Sequence, residues 1–154
     1  MNEQANKYSL KDGKSTQFKG GSLQTADQSS FPVLAGLSLQ YLQMEPDGVR
    51  EFHIHPNAAQ MDLTLAGRGR IGLAGPGGEV QLLEMSEGDV SFIPQGFGHW
   101  IENIGDEELR MILIVNNEAP ETIFLTDMIR AMPGDTVRRA YGSTADLLAL
   151  FGTS

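Results

Sequence analysis

The chain of 154 residues carries three histidines, and their placement suits one job. His53 and His55 lie in the run Glu51-Phe52-His53-Ile54-His55-Pro56, and His99 lies in Phe97-Gly98-His99-Trp100. In an extended strand, side chains two apart project to the same face, so both imidazoles of the His-x-His pair can reach a single cation. His99 must then arrive from another strand. Neutral imidazoles suit Zn, Cu, Fe and Ni, and three of them buried in a dry interior without an ion are costly, so ligation is the cheaper account.

The residues around the histidines carry more. His53 to Gly67 reads H-x-H-x4-Q-x6-G, and Gly88 to Asn103 reads G-x5-P-x-G-x2-H-x3-N without a mismatch. In these two segments the chain resembles the cupin superfamily. Ser30-Phe31-Pro32-Val33, the stretch Asp47 to Asn57 and the stretch Gly98 to Glu107 further resemble the bacterial oxalate decarboxylases, above all their C-terminal cupin half. The likeness runs from about Gly20 to about Tyr141 and covers one cupin where that family has two in tandem. It implies an all-β, antiparallel jelly-roll barrel, with His53, His55 and His99 as metal ligands and Gln60 in the place of the family's ligand glutamate. It also implies that Arg50 pairs with a small carboxylate substrate.

Departures from that pattern bear on function. The first motif should open on glycine where Asp47 stands, so Gly48 is expected to take over the turn. Gln60 is a neutral amide in place of a carboxylate, which changes a divalent site from about +1 to +2 net charge and disfavours Mn relative to imidazole-loving ions. Either Gln60 is a fourth ligand, or it points away and leaves three histidines and water. The family's lid bears an acid within a Ser-Glu-Asn-Ser stretch. The corresponding loop here is Asn116 to Thr122, where Glu118 and Glu121 are the candidate acids. A further pocket glutamate of the family aligns with Leu113. Strand parity from the histidines brings Glu51 inward and sends Arg50 outward, unless a bulge intervenes. Expected apolar pocket residues are Phe52, Met61, Phe97, Trp100 and Ile112.

Composition narrows the partners. Twenty acidic against 11 basic residues give a formal charge of −9, the opposite of what phosphate backbones attract, so nucleic acid is not an expected partner. The chain has no cysteine, which excludes thiolate ligands, cysteine nucleophiles and disulfides. Met1 to Lys14 is polar, without the apolar core of a signal peptide, and no apolar run approaches the ~20 residues of a membrane span. The expected location is therefore the cytoplasm, and the expected partners are a small carboxylate or related metabolite and a second copy of the chain.

The elements that must position the site are short strands. Leu37, Leu39 and Tyr41 alternate with Ser38 and Gln40, and Met61, Leu63 and Leu65 alternate with Asp62 and Thr64, a period of two. Further runs at 71–74, 80–85, 90–93, 99–104 and 109–115 are separated by glycine-rich turns, the pattern of a sandwich or small barrel. Residues 1–30 read as a polar arm, the part after Gly20 forming an edge strand or crossing to a partner, 31–120 as the barrel, and 121–154 as a helical tail. In the tail, Leu125, Met128, Ile129 and Met132 recur at helical spacing, with Thr126 as a candidate cap and Pro133-Gly134 as a stop. A helical stretch is expected near Val137 to Tyr141, and Ser143-x-x-Asp146 opens another. Such a tail, together with the edge a barrel of this size leaves to cover, predicts a homodimer or higher assembly. The functional expectation is a metal-dependent enzyme on a small organic acid or oxygenated metabolite, decarboxylase or dioxygenase, using Fe, Ni, Zn or Mn. The alternative is a cupin that binds a metal or small ligand without turnover.

Overall fold

A computed structural model describes residues 6–142. It divides into one compact unit ending at Thr122 and a second beginning at Ile123. In the first unit, a 3-10 turn at Leu10–Asp12 precedes ten strands: β1 (Lys14–Phe18), β2 (Gly21–Ala26), β3 (Ser38–Met44), β4 (Val49–Ile54), β5 (Gln60–Ala66), β6 (Gly69–Ala74), β7 (Val80–Met85), β8 (Val90–Ile93), β9 (Gly98–Asn103) and β10 (Leu109–Val115). One sheet runs β1-β2-β3-β10-β5-β8 and the other β4-β9-β6-β7, and the registered pairs are antiparallel. The expected all-β antiparallel fold is thus present. The sheet reaches further into the polar arm than composition suggests, because β1 adds an edge strand outside β2.

One apolar core joins the two sheets. Leu42, Met44, Leu109 and Met111 from the first sheet meet Ile71 and Ile101 from the second, all fully buried. Each such side chain contributes roughly 1.5–3 kcal/mol relative to exposure. Next to this core the interior is polar, and here the structure corrects a simple reading of the alternation. On β3 the buried set is Ser38, Gln40, Leu42 and Met44; on β5 it is Gln60, Asp62 and Thr64. The apolar partners in the alternation face outward instead. They form two cross-strand rows, Leu39-Ile114-Met61-Phe92 and Tyr41-Ile112-Leu63-Val90, over β3, β10, β5 and β8. Met61 is 46% exposed and Phe92 57%.

Met61 and Ile112 therefore face away from the interior that holds the histidines. Phe52 and Trp100 also leave the interior, lying 6.2 Å apart where the missing Cβ atoms of Gly98 and Gly72 would point. Phe97 alone of that expected set packs against the core. The turn before β4 differs too. Asp47 itself takes the left-handed conformation at φ 62°, which aspartate tolerates better than most residues. Gly48 is needed for space instead, since a Cβ there would lie 2.4 Å from the Gly20 carbonyl oxygen.

The second unit begins with β11 (Ile123–Phe124) and contains α1 (Leu125–Ala131) and α2 (Gly134–Tyr141). Ile129 and Val137 are buried together, with Leu125 and Met132 against them. Thr126 is not the cap of α1. Phe124 holds that position and makes no side-chain cap bond, while Pro133 closes the break and Gly134 opens α2. The stretch Ser143 to Asp146 lies outside the described residues.

Candidate metal centre

The register of β4 on β9 places His53 directly opposite His99, with Leu73 of β6 beyond it. His55 follows just after β4 ends. All three imidazoles are buried, at 3%, 4% and 0% exposure, and one nitrogen from each lies within 4.8 Å of the others.

Main-chain carbonyls fix which nitrogens these are. Nδ1 of His53 lies 2.7 Å from the Glu51 carbonyl oxygen, Nδ1 of His55 lies 2.8 Å from that of Glu121, and Nδ1 of His99 lies 3.3 Å from that of Phe97. A carbonyl only accepts, so each Nδ1 carries the proton and each Nε2 presents a lone pair. Burial holds the imidazoles neutral. His53 is pushed well below the usual histidine value by burial and then by His99; His55 is lowered chiefly by burial. His99 falls to about 4 through burial and the proximity of His55. Three neutral Nε2 donors are thus arranged at neutral pH.

Two observations test whether a metal fits. Nε2 of His99 is buried and has no hydrogen-bond partner, an expensive state for a polar atom unless a ligand takes it up. In addition, Nε2 of His55 faces Oε1 of Gln60 at 3.0 Å. With its proton on Nδ1, His55 confronts the amide oxygen with a second lone pair. Two acceptors in contact repel, and a cation between them converts the repulsion into coordination. The donor set of three imidazoles and one amide oxygen fits a divalent transition ion.

Gln60 is 1% exposed and begins β5. Its Nε2 donates to Asp62 Oδ1 at 2.7 Å, and Ser91 Oγ donates to Asp62 Oδ2 at 2.9 Å. Asp62 is wholly buried, and burial raises its carboxyl to about 6 against the opposing pull of these two donors. Asp62 is a defining position of neither histidine motif. Its place two residues after Gln60 on one strand was the available signal.

Arg50 is brought inward. The pairing of β4 with β9 shifts by one residue between Arg50 and His53, a bulge that lets both side chains turn to the interior, while Glu51 is exposed. The guanidinium carbon lies 5.4 Å from the centre of the Phe18 ring, and its charge depresses the proton affinity of all three histidines. A buried, permanently charged guanidinium beside three neutral donors can bind a carboxylate.

The two loop glutamates sit differently. Glu118 receives the Gly36 N–H at 2.7 Å, and main-chain donors hold its carboxyl below the usual range, the reverse of what a proton donor needs. Glu121 is exposed and meets the site through its main-chain carbonyl rather than its carboxyl. Leu113 belongs to the apolar core, opposite Asp62 on β5 and Gln40 on β3.

The comparisons with known proteins agree with this geometry. Residues 8–146 match the family model described as Cupin. Oxalate decarboxylase OxdC of Bacillus subtilis is 28% identical over 126 residues, covering 82% of this chain and 33% of that protein. Germin-like protein 3-7 of Oryza sativa is 28% identical over 68% of the chain and 46% of its own length. A solved structure from work on the Mn(II) centres of the Bacillus subtilis oxalate decarboxylase superposes with a TM-score of 0.85 at 26% identity, covering 91% of this chain and 37% of that one. The chain spans about a third of the length of the decarboxylases it matches. With two antiparallel sheets enclosing three convergent histidines and a family match over most of its residues, the chain belongs to the cupin family.

Proposed function

We propose that this protein is a divalent-metal-dependent enzyme of the oxalate-decarboxylase and oxalate-oxidase type, acting on a small carboxylic acid. His53, His55, His99 and Gln60 hold the ion, and Arg50 pairs with the substrate carboxylate. The observation that carries the reading is the unpartnered, fully buried Nε2 of His99 beside two further imidazoles with the same proton placement. An Fe, Ni, Zn or Mn ion would supply Lewis acidity toward a carboxylate oxygen. The protein's own residues bind and orient the acid, and the closed interior excludes bulk water from it. Of the two loop acids, Glu121 is the remaining candidate to exchange a proton, since the Glu118 carboxyl is engaged by the Gly36 N–H.

A second reading is a cupin that binds a metal or small acid without turnover. It is favoured by the engagement of the Glu118 carboxyl with Gly36 and by the apolar Leu113. Elemental analysis of protein purified without added metal, followed by turnover assays on a panel of small acids with and without oxygen, separates the two. Metal retention with product formation supports the enzyme. Acid binding or metal retention with no product supports the binding module; absence of any bound metal defeats the enzyme, and absence of both metal and acid binding defeats both.

The same reading places the protein in the cytoplasm, with functional boundaries near residues 30 and 120, and with a small acid and a second copy of itself as partners. Among the described residues, no helix is long and apolar enough to cross a membrane. The outward apolar rows on β3, β10, β5 and β8 support self-association, since a broad apolar face on a soluble chain marks a contact surface.

A further inference from the structure

We propose that Asp62 is a positioning residue of the metal centre: it holds the Gln60 amide with its oxygen toward the histidines and supplies, from behind the ligands, the negative charge that an amide ligand lacks. The inference rests on the reading of the histidines as a metal centre and deepens it.

The argument begins on β5, where Gln60, Asp62 and Thr64 share the buried face. An amide side chain has two ends of similar shape and opposite polarity, so its neighbours decide which end faces the ion. The Asp62 carboxylate accepts and does not donate, and it lies 2.7 Å from the amide nitrogen. Turning the amide over would set its oxygen against a carboxylate oxygen at the same distance. Asp62 therefore selects the orientation that aims Oε1 at the histidines. Ser91, opposite Asp62 in the register of β8, fixes the other carboxylate oxygen at 2.9 Å, so the carboxylate is held from both sides.

Charge supplies the second half. Three neutral imidazoles and an amide leave a divalent ion at its full charge within a dry interior, where uncompensated charge is costly. One fully buried carboxylate, linked to the ligand by a single hydrogen bond, halves that charge without entering the coordination sphere. Partners that orient ligands in this way commonly change metal affinity by about 10- to 100-fold when removed.

The test is equilibrium Mn(II) and Zn(II) binding to metal-free protein, by competition with a chromophoric chelator. Circular dichroism checks the fold of each variant. Asp62→Asn preserves shape and keeps both partners, its Oδ1 accepting from Gln60 and its Nδ2 donating to the Ser91 hydroxyl, but removes the charge, and is expected to weaken binding by about 10- to 100-fold. Adding Gln60→Glu to that variant moves the carboxylate onto the neighbouring residue and restores binding to within a few-fold of the parent. A role confined to packing lets Gln60→Glu raise affinity by the same factor in the parent and in Asp62→Asn, whereas the charge role makes the gain larger in Asp62→Asn. The zero-field splitting of bound Mn(II), read by electron paramagnetic resonance, shifts in Asp62→Asn.

If Asp62→Asn folds and binds as tightly as the parent, or if the double variant stays as weak as the single, the inference is overturned. Should Asp62→Asn fail to fold, Ser91→Ala takes its place: loosening the carboxylate should weaken binding several-fold, and unchanged binding overturns the inference. His99→Ala separates this from the underlying reading. A parent that binds neither ion, or whose binding survives His99→Ala, defeats the metal centre itself. Loss in His99→Ala with no change in Asp62→Asn defeats only the role of Asp62.

Discussion

Acidification of the metal-free protein pits two buried groups against each other. An ordinary histidine titrates near 6.5, but His99 in the fold does so at about 4. Below pH 6.5 the unfolded chain takes a proton that the folded chain refuses, so stability falls as pH falls through this window. At about 1.4 kcal/mol per pH unit, the loss from His99 reaches about 3 kcal/mol by pH 4. Asp62 runs the other way: its carboxyl is raised from 3.8 to about 6, so the folded chain takes up the proton first. Between pH 6 and 4 it returns about 2 kcal/mol. The two largely offset, leaving His53 and His55, both lowered, to give the parent a net loss toward acid. Asp62→Asn removes the counterweight. Urea denaturation of both metal-free proteins from pH 7 to pH 4 should show the variant losing about 2 kcal/mol more than the parent across the range. Parallel stability curves would refute the reasoning, because they would mean that Asp62 titrates alike in the folded and unfolded chains.

Other outcomes follow from the same geometry. Saturating Zn(II) should raise the melting temperature of the parent and leave that of His99→Ala unchanged, since a ligand stabilises only the form that binds it. Arg50→Leu should raise KM for a small acid more than it lowers kcat if the guanidinium holds the carboxylate, and steady-state kinetics separates the two effects. Gly72→Ala should destabilise by about 1–3 kcal/mol in chemical denaturation, because the new methyl would clash with the Trp100 ring, on the far side of the sheet from the three histidines. Phe92→Glu should lower the mass measured by light scattering near physiological salt if the outward rows join two copies, and a monomeric parent would remove that interface.

The histidine positions were legible because two independent regularities agree at them. Motif spacing places His99 on its own strand, and the two-residue period puts His53 and His55 on one face. Strand placement was legible for the same reason: glycine-rich turns bracket runs such as Val80–Met85, Val90–Ile93 and Leu109–Val115 closely. Arg50 shows what periodicity alone misses. Parity sends it outward, and only the one-residue bulge before His53 brings it back. Bulges arise from how two strands pair, so the sequence of one strand does not carry them. Thr126 shows the same limit at a helix end, where a hydroxyl of suitable type lies inside the first turn rather than before it.

Asp62 was hidden by a rule that usually succeeds. On β5 the apolar set is Met61, Leu63 and Leu65, and the usual inference sends such a set to the core and its polar partners to water. A cupin interior that holds a metal inverts the inference, because the cavity needs donors and acceptors while the outer face is free to be apolar. Once Gln60 is taken as a ligand, however, parity leaves no choice: residues 62 and 64 must point inward with it, and the apolar set must point out. The burial of Asp62 at 0% and the 46% exposure of Met61 are two sides of that one constraint. The amide at Gln60 then ceases to look like the simple loss of an acid. A carboxylate is still present within the barrel, one hydrogen bond behind Gln60.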